Sequence, residues 1–392
     1  MEEILSSPYL HPVVAILLIV ALFPLVAGYI VLAERKVLAD IQVRLGPMRV
    51  GPYGFLQPLA DAFKLLLKED IIPASADKWI FWGAPVLSTF TALTAFAVMP
   101  FSDKFYVADV NIGILFILAM SSLGVLGLIF GGWSSNSKYS LLGALRSAAQ
   151  MVSYEVPLGF TIVTALMIAE TLSMQGIVQA QLDKGIWIAF SNYGLMLVPA
   201  MVFLIASFAE TNRAPFDLPE AESEIVAGFH TEYSGFRFAL YFLAEYASIF
   251  VICGIAITVF FGGWLRPFPN IAFLELPLNV AFPILLLLAI GGGCALGATR
   301  VSLGYEKAIM GGLALVMFLV AAMFAVPMLN ELIIGFFWFL FKVLTLIYVF
   351  IWVRGTFPRF RYDQLMTVGW KYLIPISMGA LVVNGIVLLF TS

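Results

Sequence analysis

The sequence has few residues that could bind a metal ion, since its 392 residues include only two cysteines and two histidines. An iron–sulfur cubane needs four thiolate ligands, and a haem held by two histidines needs both on facing helices. His11 lies at the start of the first apolar run and His230 lies in a polar loop. Cys253 and Cys294 fall inside apolar stretches, where a buried, inert thiol is the usual finding. We therefore expect no metal site, and any electron-transfer chemistry should be supplied by another protein.

Charged residues are also scarce, at 11% of the chain against about 25% in an ordinary soluble domain. Hydrophobic residues make up 62%, which leaves too little polar surface to cover a water-soluble protein of this size. The 21 Lys and Arg residues do not outnumber the 24 Asp and Glu residues, so the chain lacks the basic excess that nucleic-acid binding requires. The composition predicts an all-α, polytopic membrane protein whose outer surface contacts lipid.

Enzyme motifs are missing from the polar loops as well. They contain no glycine-rich phosphate loop, no zinc-ligand spacing and no nucleophile–base pattern. We therefore predict no catalytic residues of the kind found in hydrolases or nucleotide-binding enzymes. The function must come from the membrane spans and from the loops that connect them.

Ten apolar stretches are each about 20 residues long, enough for a helix to cross a hydrocarbon core about 30 Å thick. They cover residues 12–33, 79–100, 111–131, 155–172, 187–208, 239–262, 278–298, 308–329, 332–353 and 372–391. We predict that all ten are transmembrane helices of a single membrane domain, residues 1–392.

The distribution of positive charge predicts the orientation. Seventeen of the 21 Lys and Arg residues fall in loops that follow odd-numbered spans, and only Lys104, Lys184 and Arg266 fall in the other loops. Because loops rich in Lys and Arg stay in the cytoplasm, we expect both termini on the non-cytoplasmic side.

The first long loop, residues 34–78, contains an amphipathic segment. Between residues 53 and 70, Leu56, Leu59, Phe63 and Leu66 share one helical face, with polar residues on the other face. Two Gly-Pro pairs precede it and fix sharp turns among basic residues. This pattern indicates a helix at the cytoplasmic membrane surface beside a cavity, although a simple amphipathic connector has the same periodicity.

The loop 209–238 is unusually acidic. Large apolar residues alternate with its six carboxylates, and Pro and Gly interrupt any continuous helix. A solvated acidic face is one interpretation. The alternation favours a loop that folds back among the helices, with partly buried carboxylates that can take up and release protons.

Four charged residues fall inside or at the ends of predicted spans. Charges in a membrane interior are costly and by default mark proton or ion paths. Glu155 and Glu245 suit such a path, or a satisfied polar link between helices, whereas Glu170 should reach the membrane interface. Lys342 lies ten residues into its span, so we expect it to face a carboxylate or a cavity.

Five motifs resemble those of one family, the H subunit of bacterial NADH:quinone oxidoreductase, known as the NADH dehydrogenase subunit 1 family. They are AERK at 33–36, RLGP at 44–47, GPYGFLQPLADAFK at 51–64, ETNRAPFDL at 210–218 with Glu220, Glu222 and Glu224, and PRFRYDQLM at 358–366. The motifs are long and specific, and the resemblance covers residues 1–265 and 332–392.

The resemblance implies a subunit of complex I in a bacterial cytoplasmic membrane. Such a subunit forms the membrane part of the quinone tunnel and joins the electron-transferring arm to the proton-pumping arm. NADH, FMN and the iron–sulfur clusters then belong to partner subunits, and this chain contacts only quinone, lipid and those partners. The implied quinone-path residues are Glu34, Arg35, Arg44, Asp61, Phe63 and Arg213. The implied acidic proton path comprises Glu155, Glu210, Asp217, Glu220, Glu222, Glu224, Glu232 and Glu245, to which we add Lys342.

One departure concerns the number of spans. The family has eight core spans, whereas this sequence has ten, and the surplus pair lies in residues 266–331. Because two spans are added together, the 358–366 motif keeps its cytoplasmic side. We expect the insert to form a peripheral helical hairpin.

Two alternative functions stay open at this point. The equivalent subunit of a membrane-bound hydrogenase or of a coenzyme F420-linked dehydrogenase shares versions of these loops. An autonomous ion transporter built on intramembrane acids is a different class, against which stands the absence of a detectable internal repeat.

Overall fold

The computed structural model describes residues 10–218, 227–301 and 303–391, and in these ranges the chain is helical without any β-strand. The expected all-α fold is confirmed. The helices are α1 (Leu10–Ile41), α2 (Gln57–Leu67), α3 (Lys78–Thr94), α4 (Gly113–Ser134), α5 (Lys138–Ala169), α6 (Met174–Lys184), α7 (Leu197–Glu210), α8 (Gly235–Phe260), α9 (Phe282–Arg300), α10 (Gly304–Ala325), α11 (Pro327–Thr356), α12 (Tyr362–Thr367) and α13 (Ile374–Thr391).

Nine of the described helices are long and apolar enough to cross a membrane, against ten predicted spans. The exception is the predicted span 187–208. There α7 begins only at Leu197 and has 14 residues, because two short 3-10 turns precede it and hold Asn192 and Tyr193 at positive φ. At about 1.5 Å per residue, this helix alone is shorter than a hydrocarbon core.

Contacts at the two ends of the bundle show that α7 nevertheless runs from one face to the other. The end of α1, the end of α7, the first half of α8 and the end of α11 meet through Glu34, Arg213, Tyr246 and Arg354. At the opposite end, Asn192 Nδ2 donates to Asn384 Oδ1 of α13 at 3.1 Å. We name these ends the Glu34 face and the Asn192 face. The long helices and α7 therefore alternate in direction, as ten crossings require.

Helix α5 differs from its predicted span because it begins at Lys138, well before residue 155. Its first half is buried on one side, where Ser140 and Gln150 bond to backbone carbonyls of the 209–238 loop, whereas Leu142 and Leu145 are exposed on the other side. These hydrogen bonds satisfy the polar side chains, so low hydropathy did not prevent a long helix. Helix α8 is the central element, with 78% of its most apolar stretch buried by the other helices.

Helices α9 and α10 form an antiparallel hairpin at the periphery. A side chain at Gly291 would meet Phe318, and one at Gly297 would meet Met310, which sets the antiparallel register. Only 17% of the most apolar stretch of either helix is buried. The hairpin attaches to α11 largely by aromatic contacts, such as Phe282 stacked on Trp338 with ring centroids 5.5 Å apart.

The alternating direction of the helices predicts from which side of the membrane an introduced cysteine can be labelled. The test uses single cysteines in a variant that lacks Cys253 and Cys294. Cysteines at Asp183 and Arg361 should react with an impermeant maleimide from opposite sides of the membrane, because α7 to α11 make five crossings between them. A cysteine at Lys138 should be labelled from the same side of the membrane as the one at Arg361. If Asp183 and Arg361 were labelled from the same side, α7 would not cross.

Candidate functional site

Glu34 of α1 is the centre of a buried ionic cluster. Its side chain is almost fully buried, yet its carboxylate accepts hydrogen bonds from Arg213 Nη1 at 3.1 Å, from Arg354 Nη1, and from the Tyr246 hydroxyl at 2.6 Å. The Arg213 guanidinium also lies over the Tyr246 ring, 4.5 Å from its centroid. Charge-assisted bonds of this kind hold the ends of α1, α7, α8 and α11 together.

Arg213 reaches this cluster because of the turn that ends α7. Asn212 adopts a positive φ of 50°, and the Arg213 N–H donates to the Phe208 carbonyl at 3.2 Å. The Gln150 side-chain amide of α5 donates to the carbonyls of Ala209 and Phe216, at 2.8 and 2.7 Å. The turn is therefore fixed on both sides, and the guanidinium points inward.

Arg213 also connects the cluster to a second group of acids. Burial alone would lower the pKa of its guanidinium, but the surrounding Tyr246, Glu34 and Glu245 raise the pKa above its ordinary value. Its Nη2 atom is buried without an acceptor among the described residues. Arg213 thus remains charged and lies within electrostatic range of carboxylates on two different helices.

A cavity of about 300 Å³ contains three of the predicted proton-path acids, Glu155, Glu210 and Glu245. Ser122 Oγ donates to Glu155 at 2.9 Å, and Ser121 Oγ donates to Glu210 at 2.7 Å. Glu210 Oε2 is buried with no donor within the described part of the chain. A cavity of this size holds several water molecules, which could satisfy the remaining carboxylate oxygen.

The surface segment carries a separate, more exposed ion pair. Arg35 Nη1 lies 2.7 Å from Asp61 Oδ2, which joins α1 to α2, and Gln57 Nε2 donates to Asp61 Oδ1 at 3.0 Å. Phe63 is 62% exposed on α2, and Arg44 is exposed with its Nε donating to nearby Gln42 at 2.7 Å. Of the six predicted quinone-path residues, the chain therefore brings together Glu34 with Arg213 and Arg35 with Asp61, and leaves Arg44 and Phe63 on the outside.

The turn before α2 depends on a glycine that follows the second Gly-Pro pair. Gly54 has a φ of 76°, and a Cβ there would lie 2.2 Å from the Pro47 carbonyl oxygen. Lys36 Nζ donates to the Tyr53 carbonyl at 2.6 Å and ties the turn to α1. Only glycine fits at position 54, so the approach of the turn to the surface helix is fixed by sequence.

The acidic loop 209–238 folds back among the helices wherever it is described. Asp217 is 3% exposed, and its Oδ2 accepts from Arg359 Nη2 of the 358–366 motif at 3.1 Å. Phe360 N–H donates to the Pro215 carbonyl at 2.9 Å, so the two motifs converge. Glu232 is half-buried. The predicted site residues Glu220, Glu222 and Glu224 lie outside the described residues.

Lys342, which we expected to face a carboxylate or a cavity, bonds instead to backbone carbonyls. Its Nζ donates to the carbonyls of Phe261 and Gly263, both at 2.7 Å, and lies 4.8 Å from the Trp187 ring centroid. The partners are the unsatisfied carbonyls at the end of α8, which need donors inside a membrane protein. Lys342 is therefore separated from the acids of the Glu34 face, and we remove it from the proposed proton path.

Sequence reasoning missed Tyr246, Arg354 and Arg359. Arg354 entered only the count of cytoplasmic charge, although it stands in the last turn of an apolar helix. Arg359 also stood in the 358–366 motif, but without an assigned role. Tyr246 lies beside Glu245, but nothing in the sequence indicates that its hydroxyl faces α1. Among the described residues, no group of three or more His, Cys, Asp or Glu side chains could hold a metal ion.

Comparisons with known proteins agree with the motifs. The family model described as NADH dehydrogenase matches residues 13–385. The chain is 61% identical to the NADH-quinone oxidoreductase H subunit 2 of Solibacter usitatus over 386 residues, 98% of both chains. It is 51% identical to the H subunit 1 of Koribacter versatilis over 366 residues, 90% of this chain and 86% of the relative. It is 43% identical to the H subunit of Rickettsia prowazekii over 389 residues, 98% of this chain and 96% of the relative.

The Glu34 cluster predicts a strong difference between two carboxylate-to-amide changes. Glu34→Gln leaves Arg213 and Arg354 buried without a counter-charge and should lower the free energy of unfolding by about 3–5 kcal/mol. Asp61→Asn breaks a more exposed pair and should lower it by about 1 kcal/mol or less. Thermal denaturation of the purified assembly measures both. Equal shifts in the midpoint would show that the Glu34 cluster does not stabilise the bundle.

Proposed function

Since the chain belongs to the NADH dehydrogenase family, it is a membrane subunit of NADH:quinone oxidoreductase, and we propose that it forms the membrane part of the quinone tunnel and couples quinone reduction to proton translocation. The resemblance seen in the motifs is confirmed. The hydrogenase, F420-linked dehydrogenase and autonomous transporter alternatives are not favoured, because the relatives described above are named as the H subunit of this oxidoreductase.

The observation that carries the proposal is the position of Arg213. Its guanidinium bonds to Glu34 at one side and lies within electrostatic range of Glu245, which lines the acidic cavity. In a buried environment, charges act on each other more strongly than in water. A change of charge or hydrogen bonding near Glu34 therefore alters the proton affinity of the cavity acids through a single side chain.

The quinone side of the proposal lies at the surface helix. The cavity beside Glu34 has a volume of only about 20 Å³ in this chain, space for about one water molecule. The head group therefore needs the outer surface, where Arg35 can donate to a quinone carbonyl and Phe63 offers an apolar contact. A partner subunit would close the tunnel over this surface, with Arg44 at the same junction.

The proposed proton path begins in the acidic cavity. Glu155, Glu210 and Glu245 with the intervening water form a group of titrating sites, and serine hydroxyls can relay protons between them. Asp217 and Glu232 would extend this path toward the Glu34 face, together with Glu220, Glu222 and Glu224.

The chain requires partner subunits for its electron chemistry. Cys253 and Cys294 lie in different helices, α8 and α9, and do not suit an iron–sulfur cluster. The clusters, FMN and the NADH site therefore belong to peripheral-arm subunits that dock on the Glu34 face, and pumping subunits contact the chain laterally. From the positive-charge distribution, the Glu34 face is cytoplasmic in a bacterial inner membrane, and both termini lie on the other side.

Kinetics should separate the two sides of the site. Arg35→Gln removes a donor to the quinone carbonyl and should raise the apparent KM for quinone by about tenfold, with turnover at saturation nearly unchanged. Glu210→Gln removes a titrating site in the cavity and should lower turnover and proton pumping together, with little change in KM. NADH:quinone activity against quinone concentration and pumping in proteoliposomes measure these effects.

Glu170→Gln is the matched control for Glu210→Gln, because Glu170 is an exposed glutamate on the Asn192 face. It should leave KM, turnover and pumping unchanged. If Glu210→Gln raised KM alone and kept pumping at the wild-type level, the cavity would belong to the quinone site instead of the proton path.

A further inference from the structure

A second polar cavity lies at the Asn192 face, far from the Glu34 cluster. Its volume is about 460 Å³, within the range of ligand-binding pockets. It forms where the segment after α8 meets the start of α11 and the loop that follows α3. The residues that matter for the argument are Asp103, Lys104, Arg266, Asn279, Glu331 and Trp338. None of them takes part in the function proposed above.

Two buried donors in this cavity lack acceptors. Trp338 is 3% exposed and is held in place by stacking on Phe282, yet its indole Nε1–H has no acceptor among the described residues. Arg266 Nη2 donates to the Pro269 carbonyl at 3.1 Å, but Nη1 is buried without an acceptor in the same part of the chain. Buried donors are nearly always satisfied in native proteins, so a group with several acceptor oxygens would complete this site.

The same cavity is also lined by oxygen atoms that could accept hydrogen bonds from a cation. The carboxylates of Asp103 and Glu331 are exposed toward it, and Asn279 Oδ1 is buried without a donor among the residues described. The two carboxylates balance the positive charges of Lys104 and Arg266, so a ligand without net charge suits the cavity better than a simple anion. A ligand that carries a phosphate and an ammonium group a few bonds apart satisfies both halves of the cavity.

The surroundings favour a lipid over a small soluble zwitterion. The loop that supplies Asp103 and Lys104 also borders an apolar groove of about 350 Å³. This groove runs along α1 and is lined by Phe101, Phe105 and Phe336, the last adjacent to Gly335 of the polar cavity. An acyl chain could lie there while the head group occupies the polar cavity.

We propose that the Asn192-face cavity binds the head group of a zwitterionic phospholipid with a primary ammonium, of the phosphatidylethanolamine class. The phosphate accepts from Trp338 Nε1 and Arg266 Nη1. The ammonium donates to Asp103, Glu331 and Asn279 Oδ1, which requires N–H groups and so disfavours a choline head group. The lipid would then link the α9–α10 hairpin segment to the core of the subunit.

Native mass spectrometry of the delipidated whole complex, titrated with defined phospholipids, tests the proposal. Wild type should retain phosphatidylethanolamine at least about tenfold more tightly than phosphatidylglycerol or phosphatidylcholine at one site. Trp338→Phe keeps the ring stack and removes only the N–H, so it should weaken this retention about tenfold. Trp352→Phe, on the same helix but exposed away from the cavity, should have no effect.

Two further measurements test the chemical identity of the ligand. Glu331→Gln should reduce the preference for phosphatidylethanolamine over phosphatidylglycerol, because it removes one of the two carboxylates that face the ammonium. Soluble phosphoethanolamine should fail to displace the lipid at equal concentration, since it has no acyl chain for the groove. Equal binding of phosphatidylglycerol, displacement by phosphoethanolamine, or unchanged binding in Trp338→Phe would each overturn the proposal.

Discussion

The buried carboxylate of Glu34 is the interaction on which the rest of the structure depends. Two guanidinium groups and one phenol converge on it from three helices that follow α1 in the chain. An isolated charge in this interior would be strongly unfavourable, so the four partners must be present together. Because Arg213 and Arg354 lie at helix ends and Tyr246 lies in the first half of α8, their convergence on Glu34 also fixes which ends of α1, α7, α8 and α11 share a face. The cluster thus constrains the topology of the bundle.

The cluster and the acidic cavity are different kinds of electrostatic site. At Glu34, positive and negative groups are in direct contact and compensate one another. In the cavity, three carboxylates share a space with hydroxyl groups, so any net charge there depends on protons and water. Arg213 bonds to Glu34 in the first site and lies within electrostatic range of Glu245 in the second. An arrangement of this kind allows a local change at one site to be felt at the other without a large movement of helices.

Hydropathy predicted most of the spans, because long apolar helices in lipid need no knowledge of their neighbours. Hydropathy gave the wrong helix bounds where contacts with other segments of the chain determine the structure. The polar first half of α5 is helical because Gln150 and Ser140 find carbonyls on another loop, and α7 is short because the turns before it occupy residues of the predicted span. The pairing of Glu34 with Arg354, separated by 320 positions, depends on the tertiary fold alone. The motifs predicted functional roles for Glu34 and Arg213, but only packing shows that the two side chains bond to each other. For Lys342, the charge within a span suggested a functional role, whereas the structure gives its ammonium group backbone carbonyls just after α8 as partners.

The lysine bond at the end of α8 has a mechanical consequence. Lys342 supplies donors to two carbonyls at the C-terminal end of this central helix, where the helix dipole is negative and lipid offers no hydrogen bonds. That end of α8 is anchored to α11. Glu245, which lines the acidic cavity, and Tyr246 lie about halfway along the same helix. Any tilt of α8 that pivots about its anchored end therefore displaces these two side chains more than it displaces the anchored end. The helix acts as a lever whose fixed point is a single ammonium group.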